Sequence, residues 1–186
     1  MVSFFAPNVN IINRHTIQMK EVHITGKHNV DLVTGKKKTA KRVAAKGVEE
    51  PQHLGQVRAV NMLFMGNIPP NGAFLSNEID KKRQGYKAQD IKRELYDEQR
   101  LITSEEIVEK LVETKLVCQY CSGNVKAIFT TVRDPHQWTL DRIDNDKGHS
   151  CDNTVIACLK CNLQRRCIDA DKFAFTKGLR IKKIHD

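Results

Sequence analysis

Four of the six cysteines are spaced as ligands of a zinc ion. They form two C-x-x-C pairs, Cys118/Cys121 and Cys158/Cys161. Two residues between the thiols allow each pair to bind one side of a tetrahedral zinc, with sulfur ligands at about 2.3 Å. Sites with four cysteines usually leave no open position, so we predict a structural Zn²⁺. Cys151 and Cys167 stay outside the pairs and are expected to be free thiols.

The segment between the two pairs carries groups that suit a second, harder cation. Its pattern predicts a strand, a polar loop, a second strand and a helix that begins near Cys158. Asp141 ends the first strand and Asn162 lies on the helix, so the two side chains could face one another across a cleft. Carboxylate and amide oxygens suit Mg²⁺, which keeps several waters and takes its other ligands from a substrate phosphate.

This segment also resembles a known family. The stretch LDRIDNDKGHSCDNTVIACLKCN is similar to the HNH, or ββα-metal, endonuclease motif in its form with two zinc-binding C-x-x-C pairs, and most similar to HNH proteins of large DNA viruses. The resemblance covers about Lys81 to Lys183. It implies a metal-dependent endonuclease that hydrolyses phosphodiester bonds in DNA, with Mg²⁺ or Mn²⁺ as its catalytic cofactor.

The resemblance also implies roles for individual residues. It assigns Asp141 and Asn162 to the catalytic cation and Asn153 to the hydrogen bonds that hold the loop. Arg142 stands where the family usually has the histidine that acts as general base. An arginine stays protonated at physiological pH and cannot readily take a proton from water. His149 is the best substitute base, because imidazole titrates near neutral pH and the loop could direct it into the cleft.

Further roles are predicted for several neighbouring residues. Asp144 and His136 are further candidates for the base, although Asp144 is also typical of a residue that holds a turn. Arg165 and Arg166 are predicted to contact substrate phosphate, or else to form a solvated helix face. Trp138 is expected in the core beside the zinc.

The elements that position these residues are predicted to form an α+β fold: a helical lead-in followed by a zinc-stabilised ββα unit. In the lead-in, Ile91 and Leu95 lie four residues apart on a first amphipathic helix. Thr103 and Glu106 match a capping box at the start of a second helix. An apolar stripe follows, made of Ile107, Val108, Leu111 and Val112. We expect both helices to brace the metal site without carrying chemistry.

The pattern divides the chain into residues 1–80, the lead-in 81–117 and the ββα domain 118–186 with its basic tail. The first part shows no sustained helical period, so its fold is unassigned, with partial disorder as one option. It contains a basic run, GKKKTAKRVAAKG (Gly35–Gly47), which is typical of a nucleic-acid-binding arm, a nuclear localisation signal or a solvated linker.

The composition favours a polyanionic partner. Lys and Arg total 31 against 22 Asp and Glu, a formal net charge of +9. Clustered cations gain free energy by releasing counterions from phosphates, although acidic proteins or anionic membranes would satisfy the same charge. No run approaches the roughly 18 apolar residues of a membrane span, and the N-terminus lacks a signal-peptide pattern. We therefore expect a protein inside a cell, in the host nucleus or cytoplasm, a viral factory or a virion, and not a secreted one.

Two other functions stay open. A zinc-stabilised nucleic-acid-binding or viral structural protein without catalysis is favoured by Arg142 in place of the base. A scaffold that holds an acidic protein on its basic face is the third option. A single HNH site that cuts both strands would favour a dimer.

Overall fold

The computed structural model describes residues 2–6, 20–26, 29–30, 33–34 and 47–179. The chain divides into two compact units, residues 1–41 and 42–186. In the first unit, strands β1 (Val2–Ala6) and β2 (Lys20–Ile24) pair antiparallel. Residues 35–46 of the basic run and 180–186 of the tail lie outside the described residues. The roles proposed for the basic run therefore stay predictions.

The second unit combines helices with a small antiparallel sheet. In chain order its elements are α1 (His53–Phe64), α2 (Gly72–Lys92), α3 (Ser104–Glu113), β3 (Trp138–Arg142), β4 (Thr154–Cys158), α4 (Leu159–Arg165) and α5 (Ala170–Gly178). The prediction of an α+β fold is confirmed. The border predicted at residue 80 lies inside α2, because the helical part of the chain already begins with α1. Among the described residues, no helix is both long and apolar enough to cross a membrane.

Helix α3 begins where the sequence predicts. Thr103 Oγ1 accepts a hydrogen bond from the Glu106 backbone nitrogen (3.2 Å), and the Glu106 carboxylate accepts one from the Thr103 backbone nitrogen (2.8 Å). These bonds form the predicted capping box and satisfy donors that the first turn leaves free. Ile107 and Leu111 are fully buried, so the apolar stripe belongs to the core.

Helix α2 ends earlier than the sequence predicts. The predicted helix includes Ile91 and Leu95, but α2 ends at Lys92, and Ile91 is 53% exposed. Glu94 has a left-handed backbone (φ 60°), and the nitrogens of Leu95 and Glu94 donate to the carbonyls of Asp90 (2.9 Å) and Ile91 (3.1 Å). This pair of bonds is a Schellman motif, which stops a helix and turns the chain. The turn leaves Asp90 in the last turn of α2, in contact with the loop between β3 and β4.

The strand, loop, strand and helix predicted around the second cysteine pair are present. Strands β3 and β4 pair antiparallel, with Trp138 opposite Cys158 and Arg142 opposite Thr154. Helix α4 follows β4 without a break. Trp138 is fully buried, in agreement with its predicted core position. The direct connection brings the first turns of α4 against β3, where the Asn162 side chain contacts Thr139 and Leu140.

A buried glutamine joins α1 to the segment before β3. Oε1 of Gln56 accepts hydrogen bonds from the backbone nitrogens of Ala127 (2.8 Å) and Ile128 (3.0 Å), and its Nε2 donates to the Pro51 carbonyl (3.0 Å). Only 3% of Gln56 is exposed. One amide therefore supplies the acceptor for two backbone donors far away in the sequence.

We predict that Gln56→Leu lowers the free energy of unfolding by about 2–4 kcal/mol, because each buried N–H group that loses its acceptor costs about 1–3 kcal/mol. Urea unfolding at a fixed zinc concentration, followed by circular dichroism, measures the change. Gln52→Leu is the matched control, since Gln52 is exposed and its side chain makes no cap hydrogen bond. The control should change stability by less than about 0.5 kcal/mol. Equal losses in the two variants would contradict the assignment.

Candidate metal centre and cleft

The two C-x-x-C pairs come together in one group. The sulfur atoms of Cys118, Cys121, Cys158 and Cys161 all lie within 4.8 Å of one another. Three of these residues are buried, and Cys121 is exposed. Thiols this close suit a single soft metal ion, so the group can hold a metal such as zinc.

Turns of the backbone place the four thiols. Cys158 ends β4 and caps α4, where its sulfur accepts a hydrogen bond from the Cys161 nitrogen (3.4 Å). The Cys118 sulfur accepts one from the Cys158 nitrogen (3.3 Å), which links the two pairs directly. In the first pair, Ser122 has a left-handed backbone (φ 54°), and its nitrogen donates to the Cys118 carbonyl (3.0 Å). The hydrogen bond from the Cys158 thiol lowers the pKa of Cys118, which favours the thiolate that a metal ion binds.

We predict that the purified protein carries about one zinc per chain and that Cys161→Ser loses most of it, because a thiolate ligand is removed from a four-ligand site. Atomic emission spectrometry after dialysis measures the zinc content. Cys167→Ser is the matched control, since Cys167 is an exposed cysteine outside the group. Equal zinc contents in the two variants would exclude the four-thiol site as the place of binding.

A cleft of about 470 Å³ opens between α2, β3 and α4. It brings together five of the residues that the sequence selected: Asp141, Arg142, His149, Asn162 and Arg166. The other predicted residues, Asp144, His136, Asn153 and Arg165, are not among those that line it. Most of the predicted site therefore shares one solvent-accessible space, although the chain positions run from 141 to 166.

Asp141 lies in a buried, charged environment at the end of β3. Its Oδ2 accepts a hydrogen bond from the Tyr120 hydroxyl (2.6 Å), and both of its oxygens lie 3.4 Å from nitrogens of Arg165. Burial raises the pKa of Asp141, while the Tyr120 hydrogen bond and the Arg165 charge oppose the increase. A carboxylate accepts about four hydrogen bonds or ligands, so these contacts leave capacity for a cation.

Asn162 has one uncommitted oxygen. Its Nδ2 donates to the Thr139 hydroxyl (3.0 Å) and to the Leu140 carbonyl (3.1 Å). The Leu140 carbonyl can only accept, which fixes the orientation of the amide with its nitrogen toward β3. Among the described residues Oδ1 has no hydrogen-bond donor, so it is free to act as a ligand from the α4 side of the cleft. In donor type, Asp141 and Asn162 therefore fit a hard divalent cation.

His149 belongs to the loop between β3 and β4 and is buried against α2 at the wall of the cleft. Its Nδ1 lies 2.7 Å from Asp90 Oδ1, and its ring stacks on Tyr86 with 4.6 Å between centroids. Burial, together with the charges of Arg142 and Arg93, lowers the pKa of His149 although the Asp90 carboxylate acts to raise it, so the neutral imidazole is favoured at physiological pH. Arg142 is also buried and donates to the Lys147 carbonyl (3.1 Å). This arginine therefore holds the loop from inside.

Asn153 makes the loop-holding hydrogen bonds that the resemblance implies. Its Nδ2 donates to the carbonyls of Asp144 (2.9 Å) and Gly148 (3.0 Å), and its Oδ1 accepts from the Asp144 nitrogen (2.9 Å). Asp144 holds a tight turn by accepting from the Asp146 nitrogen (3.0 Å), and His136 is exposed outside the cleft. Of the three predicted candidates for the base, only His149 lines the cleft.

The two arginines at the C-terminal end of α4, Arg165 and the capping residue Arg166, differ from one another. Arg165 is fully buried and donates to the carbonyls of Arg142 (2.6 Å) and Ile143 (2.9 Å), so it is not available for the predicted contact with phosphate. Its guanidinium binds the backbone because the carbonyls of Arg142 and Ile143, at the end of β3, lie within hydrogen-bonding distance. Arg166 is exposed and lines the cleft, and its contact with phosphate stays a prediction.

Helix α2 contributes residues that the sequence analysis missed. Tyr86, Gln89 and Arg93 line the cleft, and Asp90 contacts its histidine. The lead-in helices were expected to brace the site without carrying chemistry. The sequence did contain a pattern that could have identified them. Positions 86, 89, 90 and 93 follow the spacing of one helix face, and their side chains are polar or amphipathic, whereas a stripe that faces the core would be apolar.

The fold and the site together define a small α+β protein with a four-cysteine group that can hold a metal ion and a cleft lined by three arginines. Comparison with known protein families, with curated proteins and with solved structures gives no match for this chain.

Proposed function

We propose that this protein is a metal-dependent endonuclease of the HNH type that hydrolyses phosphodiester bonds in DNA. The observation that carries the proposal is the shared cleft, which contains Asp141 from β3, Asn162 from α4 and His149 from the loop between the strands. A carboxylate oxygen and an amide oxygen can hold a divalent cation, and a neutral imidazole can take a proton from water, as cation-assisted hydrolysis of a phosphate diester would use them.

Asp141 and Asn162 would hold Mg²⁺ or Mn²⁺ from opposite sides of the cleft. Such a cation, when bound, offsets negative charge on the phosphate and on the leaving sugar oxygen. Asn162 is the stronger support for this assignment, because its amide nitrogen is engaged by β3 and its oxygen is free. The four-thiol group would hold a structural zinc that fixes the start of α4, the helix that carries Asn162.

His149 would activate the water. Its unprotonated ring nitrogen takes a proton from water as the water oxygen bonds to phosphorus, and the bond from phosphorus to the leaving sugar oxygen breaks. The leaving oxygen takes its proton from solvent. Arg166 and Arg93 are exposed cations on the rim of the same cleft and would bind neighbouring phosphates of the strand. The net charge of +9 supports a nucleic acid as the partner.

A second candidate is a zinc-stabilised protein that binds nucleic acid without cutting it. Two observations favour it. Arg142 stands where the family has its base, and Arg165 lies 3.4 Å from both oxygens of Asp141, where it weakens the attraction for a further cation. Salt-sensitive DNA binding without cation-dependent cleavage would establish this function instead.

We predict that the wild-type protein nicks supercoiled plasmid when Mg²⁺ or Mn²⁺ is added, and that Asn162→Ala lowers the rate by about 100-fold or more, as expected for a group that acts on charge in the transition state. Gel electrophoresis of plasmid forms measures the rate, and zinc content verifies that the fold is intact. Asn67→Ala is the matched control, because Asn67 is exposed and not among the residues that line the cleft. Full activity of the Asn162 variant would remove this residue from the mechanism.

The cleavage rate should also depend on pH through His149. The base must be unprotonated, and burial lowers its pKa from the ordinary 6.5. The rate should therefore stay high as the pH falls to 6.5 and decrease only below that value. Rates measured between about pH 5 and 8 at constant ionic strength test this expectation. A midpoint above 6.5 would point to another group as the base.

A further inference from the structure

The loop that carries His149 is attached to helix α2 by one carboxylate. Oδ2 of Asp90 accepts a hydrogen bond from the His149 backbone nitrogen (2.7 Å), and Oδ1 lies 2.7 Å from the ring Nδ1. Asp90 is 1% exposed. The two residues lie 59 positions apart, so the contact depends on the tertiary fold and not on the local sequence.

The chemistry of a carboxylate sets the state of the ring. An ionised carboxylate has acceptors and no donor, so the nitrogen that faces it must carry the proton. The neutral ring therefore has its proton on Nδ1, and Nε2 keeps its lone pair. Among the described residues Nε2 has no hydrogen-bond partner, and the ring lines the cleft. The nitrogen that can accept a proton is thus the one left for water.

Neighbouring groups fix the plane of the ring and the charge of its partner. Tyr86 stacks on His149 with an angle of 23° between the rings. The Arg142 guanidinium, 3.9 Å from Asp90 Oδ1, balances the buried carboxylate, and Arg93 adds a further positive charge near the ring. A buried carboxylate needs such partners to stay ionised.

The loop can approach Asp90 this closely only because residue 148 is a glycine. A Cβ at Gly148 would lie 2.6 Å from the Leu95 carbonyl oxygen and 3.1 Å from Asp90 Oδ2. The backbone at the end of α2 is fixed here, since the Asp90 carbonyl accepts the Schellman hydrogen bond from the Leu95 nitrogen. The Leu95 carbonyl oxygen therefore excludes a side chain at position 148.

We infer that Asp90 is a positioning residue, which fixes the tautomer of His149 with Nε2 unprotonated and directs this nitrogen into the cleft. The inference deepens the proposed function and rests on it for the role of Nε2 as a base. The tautomer itself is a property of the folded protein and can be measured without any cleavage. The helix before the ββα unit thereby becomes part of the site.

The test combines nuclear magnetic resonance with kinetics on the full chain loaded with zinc. Correlation spectra of the histidine rings distinguish a protonated from an unprotonated nitrogen, and a His149→Gln sample identifies the signals of this residue. In the wild type we expect His149 to carry its proton on Nδ1. In Asp90→Asn we expect a mixture of tautomers, because an amide can donate to Nδ1 as well as accept from it.

In the same Asp90→Asn variant, kcat should fall about 10- to 100-fold with KM little changed, since a general base contributes about 10²- to 10⁴-fold and the amide retains part of the orientation. Asp90→Glu, which keeps a carboxylate, should retain the Nδ1 proton. Asp97→Asn is the control, because Asp97 is exposed and its carboxylate accepts from the Gln99 nitrogen (2.9 Å) instead of from the ring. It should leave both tautomer and rate unchanged.

Two results would overturn the inference: a wild-type ring protonated on Nε2, or a tautomer that does not change in Asp90→Asn. The wild-type spectrum decides even if the variant fails to fold. A wild type with the expected tautomer, perturbed by Asp90→Asn, but without cleavage would support the positioning and contradict the nuclease. Cleavage by a wild type that carries its proton on Nε2 would support the nuclease and contradict the positioning by Asp90.

Discussion

The geometry of the cleft depends on a fully buried guanidinium. Arg165 extends from α4 to the end of β3, where it donates to the carbonyls of Arg142 and Ile143 and lies beside Asp141. Burying an arginine is costly unless its donors are paired, so the fold can retain this residue only with β3 held at this distance. The Cys158 sulfur caps the other end of α4. Held at both ends, α4 presents Asn162 to β3 in one position.

The buried charges around the cleft alternate in sign. Asp141 lies beside Arg165, and Asp90 lies between His149 and Arg142. The ionised carboxylates thus have a cation near them without an added metal, which lowers the cost of their burial. The same arrangement limits the negative potential that a catalytic cation would experience at Asp141. For the proposed cation, the free Asn162 oxygen and a substrate phosphate would therefore have more weight than they would beside an unpaired aspartate.

Local patterns in the sequence predicted the local structure well. The capping box at Thr103 and Glu106, the strands on either side of the loop and the approach of the two cysteine pairs all depend on spacing within short segments. The sequence misassigned residues whose partners are distant. Arg165 has the pattern of a surface helix, and only the carbonyls at the end of β3 explain its burial. The end of α2 was placed too late because its Schellman turn uses Glu94, where glycine is the usual signal.

Arg142 has a structural role in the loop between β3 and β4. Its side chain points into the protein, donates to the Lys147 carbonyl and lies 3.9 Å from Asp90, so it holds the loop that carries His149. The imidazole that lines this cleft comes from the loop, and its carboxylate partner comes from α2. The ββα segment alone would contain His149 without Tyr86 or Asp90, so its ring would lose both the stacking partner and the acceptor for Nδ1. The surroundings of His149 therefore come from both the lead-in helix and the ββα unit.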